Sequence, residues 1–172
     1  AQPRSRGLGD VNKRQADKFR FAHLQEAVTF VPFGVAVDEF QHICYANPNL
    51  TPKERTLEWK KLEQKYMPWR AYDADDFFDR GGYWYHKIHI YLYPMYYINY
   101  TLTTMGAMEF KKKEREDHAR AWEDYLKLCK CGGSMSYLET LRYANVANPF
   151  EQGSVARAIG VARDELMNSK FM

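Results

Sequence analysis

Between Tyr83 and Tyr100 the chain reads Y-W-Y-H-K-I-H-I-Y-L-Y-P-M-Y-Y-I-N-Y. This stretch holds seven of the 13 tyrosines and two of the five histidines. An ordinary core would use Leu, Ile, Val and Phe here. Each phenol carries a hydroxyl that needs a partner once buried. Tyr O–H and imidazole N–H can both donate to a carbonyl oxygen on which negative charge is growing. One well-placed donor is worth about 3–4 kcal/mol at a transition state. The tyrosines and histidines of this run are therefore candidate donors to a polar ligand. The same composition would also suit a packing layer whose hydroxyls reach solvent or backbone.

Other chemistries find less support. His86-x-x-His89 would bring two imidazoles together on a helix, but a zinc site needs three or four ligands. H-E-x-x-H is absent, and Glu39-Phe40-Gln41-His42 lacks the first histidine. No G-x-S-x-G occurs, and no cysteine has a histidine companion in sequence. Gly81-Gly82 and Gly132-Gly133 lack the rest of a phosphate loop. The Asp73–Asp79 region is acid-rich without the order of a calcium-binding EF-hand. Cys129-Lys130-Cys131 has no matching pair, so these read as plain thiols. No metal is expected on this chain.

The 172 residues fit about one domain, and 45% hydrophobic content is enough for a core. A net charge of +3 is too weak to imply nucleic acid. Three cysteines without a regular framework favour a reducing compartment, hence a cytoplasmic protein. Residues 88–108 hold no Asp, Glu, Lys or Arg, but their tyrosines, threonines, His89 and Asn99 suit a buried helix better than a membrane span. The opening is polar. Residues 1–12 read as a leader or disordered end, and residues 13–172 as a single helical domain.

The elements that must position the donors are helical throughout. Apolar spacing predicts one helix over about 12–30, a break or kink at Pro32 and Gly34, and a second helix over about 35–45. Thr51-Pro52-Lys53-Glu54 is a capping box with proline at the first helical position, opening a helix to Tyr66 or Met67. Asp73 or Asp75 is a candidate cap for a short helix carrying Phe77 and Phe78. Pro94 fits the first turn of the next helix, which puts Tyr96, Tyr97, Tyr100 and Thr104 on one side. That helix runs into the charged segment Lys111–Asp117, read as a solvated face. His118, Trp122, Tyr125 and Cys129 follow at helical spacing, ended by Gly132-Gly133. Ser136 and Glu139 form a second capping box, Asn148-Pro149 marks a turn, and Val155, Ile159, Ala162 and Leu166 line the last helix. The fold class is all-α, a multi-helix bundle.

Several ordered blocks carry a resemblance. They are H-L-Q-E-A-V-T-F-V-P-F-G-V-A-V-D-E-F-Q-H (residues 23–42), R-G-G-Y-W (80–84) and H-I-Y-L-Y-P-M-Y-Y-I-N-Y-T-L (89–102). Trp122-x-x-Tyr125-x-x-Leu128, Gly132-Gly133-Ser134 and Asn148-Pro149-Phe150 complete them. The chain resembles the C-terminal catalytic-domain portion of the oligoendopeptidase F and thimet-oligopeptidase-like zinc metallopeptidases. The resemblance implies the C-terminal part of a zincin-like helical domain that cuts oligopeptides in a deep channel. In that family zinc is held by H-E-x-x-H and a later glutamate. There a downstream histidine and tyrosines help bind the substrate carbonyl and the oxyanion; His89 matches that histidine, and Tyr96 and Tyr97 fall where the tyrosine cluster lies, with Tyr100 a turn later. The resemblance thus implies His89, Tyr96 and Tyr97 as oxyanion donors and Tyr91, Tyr93 and Tyr100 as substrate-binding residues. Which hydroxyl is catalytic stays open.

The chief departure is that the zinc motif lies upstream in the family and is absent here. The resemblance therefore implies a fragment that is inactive alone, with the N-terminal part of the enzyme as its partner and zinc as the parent's cofactor. A face that once met the zinc helices could drive self-association. Ala144-Asn145-Val146 carries asparagine where relatives often have glycine, and asparagine tolerates the left-handed conformation. Two other readings are a non-catalytic helical module that binds a peptide or protein, and a single-stranded nucleic-acid binder. The second is disfavoured because Lys87 is the only lysine or arginine in the aromatic run.

Overall fold

Forty-three consecutive residues form the first helix, α1 (Arg4–Ala46), and Pro32 lies inside it. The computed structural model describes residues 4–72 and 76–171, with side chains from residue 13 onward. The expected break at Pro32 and Gly34 does not occur. Val31, Phe33, Ala36, Val37 and Phe40 are all buried around the proline, so packing holds the helix across the missing rung. Gly34 is a contact rather than a breaker. A Cβ built there would lie 1.8 Å from the Thr101 hydroxyl oxygen, so only glycine lets the two backbones come this close.

The second helix, α2 (Pro52–Tyr66), starts as its capping box predicts. The Thr51 backbone N–H donates to Glu54 Oε2 at 2.8 Å, and the Glu54 N–H donates to Thr51 Oγ1 at 3.3 Å. A short α3 (Asp76–Asp79) carries Phe77 and Phe78. The proposed caps Asp73 and Asp75 lie outside the described residues. A 3-10 turn over Gly82–His86 then leads to α4 (Ile88–Leu92). The remaining helices are α5 (Ile98–Glu116), α6 (His118–Cys131), α7 (Tyr137–Tyr143) and α8 (Ser154–Met167). No strand occurs among the described residues, so the chain is all-α.

The fold divides into two compact units. One is Thr29–Thr104; the other combines Ala1–Val28 with Met105–Met172. In the Thr29–Thr104 unit the core is Phe33, Ala36, Val37 and Phe40 of α1 with Trp59 and Leu62 of α2, closed by Met67, Trp84 and Tyr97. Trp59 and Phe40 are fully buried and meet edge to face, centroids 5.4 Å apart.

In the other unit Leu141, Ala144 and Val146 form a cluster against Phe110 and Leu128. Beside them stands a buried charge. Asp124 of α6 accepts from Lys113 at 2.5 Å, Lys127 at 2.8 Å and the Asn145 amide at 2.8 Å. Lys113 also donates to the Asn145 carbonyl at 2.8 Å. The charged segment is therefore not all solvated: the Lys113 side chain is only 13% exposed. Asp117 ends that run by capping α6, accepting from the Arg120 N–H at 3.1 Å. Asn145 adopts the left-handed conformation, φ 52°, as its residue type permits.

One expected face is rotated and another is met only in part. In α6 the spaced residues His118, Trp122, Tyr125 and Cys129 are exposed, while Ala121, Asp124 and Cys131 face inward. In α8 the buried residues are Ser154, Ala158 and Ala162; of the expected line Ala162 is buried, Ile159 and Leu166 are half-buried, and Val155 is exposed. Small residues permit close packing, and the ends of Val and Leu need not be fully enclosed.

Candidate functional site

The tyrosine-rich segment adopts two short turns and a bend before α5, rather than one helix. Lys87 is extended (φ −87°, ψ 91°) between the 3-10 turn and α4. His86 and His89 therefore do not share a helix, which was the condition for a His-x-x-His pair. Pro94 ends α4 instead of starting α5. It forces the preceding Tyr93 out of the helical region, to φ −134° and ψ 72°. Met95 then takes φ 56°, a conformation that non-glycine residues adopt at a cost of about 1–2 kcal/mol. Backbone bonds close the bend: Tyr93 N–H to His89 O at 3.0 Å, Tyr96 N–H to Tyr93 O at 3.2 Å and Tyr100 N–H to Tyr97 O at 3.1 Å.

This bend gathers most of the candidate donors. The His89 ring lies 5.0 Å from Tyr97, 5.7 Å from Tyr100 and 5.7 Å from Tyr93, centroid to centroid. Tyr96 meets Tyr100 edge to face at 5.5 Å and Tyr93 at 6.2 Å. One imidazole and four phenols thus form a continuous set of ring contacts. Their exposure is graded. Tyr97 is buried at 6%, His89 is half-buried, and Tyr93, Tyr96 and Tyr100 are exposed. Phe30 and Phe33 of α1 back the Tyr97 ring at 5.9 and 6.0 Å and fix it. Burial raises the Tyr97 phenol above its ordinary pKa. Tyr100 is also raised, first by its hydrogen bond with Tyr96. Both phenols therefore stay protonated, as donors must, through neutral pH.

Tyr91 is not part of this set. Its ring stacks on Trp84 at 5.8 Å, and it borders a separate cavity of about 210 Å³ with Phe40, Gln41, Cys44 and Arg55. Burial raises its phenol as well.

Two cations lie beside the cluster, of which sequence reasoning noted Lys87 without giving it a role and missed Arg70. The Arg70 guanidinium lies 3.9 Å from the Tyr83 ring centre and 5.4 Å from that of Phe33. The Lys87 ammonium lies 4.8 Å from Phe33 and 5.6 Å from Tyr97. No periodicity marks Arg70, because it lies in an irregular segment after Pro68. Two engaged acids were also missed: the buried Glu63 accepts from the Tyr72 hydroxyl, and the partly exposed Glu39 accepts from the Tyr66 hydroxyl and from Lys65 at 2.8 Å.

No group of three or more His, Cys, Asp or Glu able to hold a metal occurs among the described residues. The three cysteines are free thiols. No helix among the described residues is long and apolar enough to cross a membrane. The donors gathered here do not by themselves fit a zinc ion.

Fold and site together define an all-helical protein that assembles an imidazole and several phenols at one bend. The chain belongs to peptidase family M3, whose sequence model matches residues 7–159. Two solved structures align with it at a TM-score of 0.85. A PZ peptidase A solved with an inhibitor is 47% identical, and a protein assigned as oligoendopeptidase F is 46% identical. A protein assigned as oligoendopeptidase F from Bacillus anthracis is 38% identical, at a TM-score of 0.73. Each alignment covers 92% of this chain. It covers 28% of the first two relatives and 25% of the third, so the chain spans less than a third of their length. No curated protein matches significantly.

Proposed function

We propose that this chain is the substrate-binding, C-terminal part of a zinc-dependent metalloendopeptidase that hydrolyses oligopeptides. One observation carries the reading: in a chain of peptidase family M3, His89 packs against Tyr97 and Tyr100 at a single bend. Bound zinc would polarise the scissile carbonyl. In this reading the ion sits on residues outside this sequence, supplied by the N-terminal part of the enzyme. This chain's own groups bind the peptide and hold it. Tyr93 and Tyr100 offer exposed phenols along the wall. His89, Tyr96 and Tyr97 supply N–H and O–H donors for a carbonyl oxygen as its charge develops. Tyr91, on its own cavity, binds substrate away from the reacting bond. A cytoplasmic location belongs to the same reading.

The isolated chain is then inactive and holds no stoichiometric zinc. Elemental analysis combined with a fluorogenic peptide assay on the purified chain tests this. Trace metal and no cleavage are expected. One tightly held zinc per chain with peptidase activity would refute this division of labour.

A further inference from the structure

Two cations stand next to the candidate donors with no acid to neutralise them among the described residues. Arg70 follows α2, and Lys87 joins the 3-10 turn to α4. Neither forms an ion pair among those residues; the Arg70 guanidinium lies over aromatic rings and makes a 3.7 Å contact to the Met67 sulfur. Two acids of the same unit have other partners, although one oxygen of Glu63 has none. Glu63 accepts from Tyr72, and Glu39 is paired with Lys65. Both cations lie over the face of Phe33, Lys87 at 4.8 Å and Arg70 at 5.4 Å, and both are half-buried. Lys87 is also held over Tyr97, the buried ring of the donor cluster. Burial, then the charge of Arg70, lowers the Lys87 pKa. Aromatic faces compensate such charges only partly, by about 0.5–2 kcal/mol each. Two like charges kept together in half-buried positions constitute a ready anion site.

We propose that Arg70 and Lys87 recognise a carboxylate on the bound peptide and so anchor it beside the His89–Tyr97 donors. This deepens the peptide-binding reading and rests on it. Arg70 supplies a planar fork suited to two carboxylate oxygens, and Lys87 supplies a point charge. The carboxylate is either the free C-terminus of a short peptide or an acidic side chain.

The test measures binding to the whole chain by fluorescence anisotropy, with three labelled versions of one short peptide: free acid, C-terminal amide, and amide with one glutamate added. The free acid is expected to bind about tenfold more tightly than the amide, a difference of about 1.4 kcal/mol. In the Arg70→Gln/Lys87→Gln double variant that preference disappears while amide affinity stays unchanged, which also reports an intact fold. Tight binding of the glutamate peptide assigns the site to either kind of carboxylate; binding as weak as the plain amide assigns it to the C-terminus alone. Equal affinity for acid and amide in the unaltered chain overturns the inference and leaves the peptide-binding reading standing. So does a preference that survives both substitutions. Binding of none of the peptides overturns both.

Discussion

The His89 imidazole meets the Tyr97 phenol at 67°, with centroids 5.0 Å apart, and Tyr97 is the one ring of the cluster that is buried. A buried phenol backed by Phe30 and Phe33 is a fixed reference for its neighbour. His89 is thereby held at the boundary between core and solvent, where a donor can be both preorganised and reachable.

His89→Ala, made in the complete peptidase, should lower kcat about 10²–10³-fold, the usual cost of one oxyanion donor. Zinc content should stay unchanged. Steady-state kinetics paired with metal analysis checks this, and parallel loss of both would make His89 a structural residue. Tyr96→Phe, Tyr97→Phe and Tyr100→Phe keep the rings and remove only the hydroxyls. The largest drop in kcat identifies the phenol that acts.

Gly34 and Thr101 should be energetically coupled. Gly34→Ala places a methyl 1.8 Å from Thr101 Oγ1 and should destabilise the fold by about 1–3 kcal/mol. Thr101→Ala removes a buried hydroxyl that has no hydrogen-bond partner, so alone it should cost little. In the double variant the cost of Gly34→Ala should shrink, because the nearest remaining threonine atom, Cβ, is 3.2 Å away. Urea denaturation of the four proteins measures the coupling. Strict additivity would contradict the close approach.

Asp124 should govern behaviour in acid. Its hydrogen bond with Lys113, then that with Lys127, holds its carboxyl well below the ordinary value of 3.8. A depressed folded-state pKa means that the unfolded chain binds the proton more readily. The contribution to stability is therefore complete above pH 4 or so, and is lost as pH falls below it. Asp124→Asn should flatten the fall in stability across that window. Asp124→Ala should cost about 3–5 kcal/mol near neutrality, because Lys113 would be left buried without its carboxylate. Thermal melts from pH 2 to pH 7 follow both effects.

The parts legible in the sequence were those written in local chemistry. Thr51 with Glu54 and Ser136 with Glu139 announce helix starts through bonds that span three residues, and Gly132 announces an end by its left-handed conformation. The aromatic segment announced itself by composition. Pro32 and Gly34 misled because their local preferences were outweighed by burial of α1 and by the approach to Thr101. Pro94 misled differently. Proline suits both the start of a helix and the residue after one, and only the Met95 bend decides between them. Arg70 and Asp124 were invisible because their partners lie far along the chain or form no periodic pattern.

Thr51→Ala removes the side-chain acceptor of the Glu54 N–H and leaves the Glu54 carboxylate only the backbone N–H of residue 51. A loss of about 1 kcal/mol is expected, read as a shift of the urea midpoint with an unchanged slope.

Proline has no amide proton, so the carbonyl of Val28 receives no bond from residue 32, and the two compact units divide between Val28 and Thr29. A helix lacking one rung at such a place need not melt as one piece. Deuterium uptake along α1 should resolve two local opening energies, one on each side of that carbonyl.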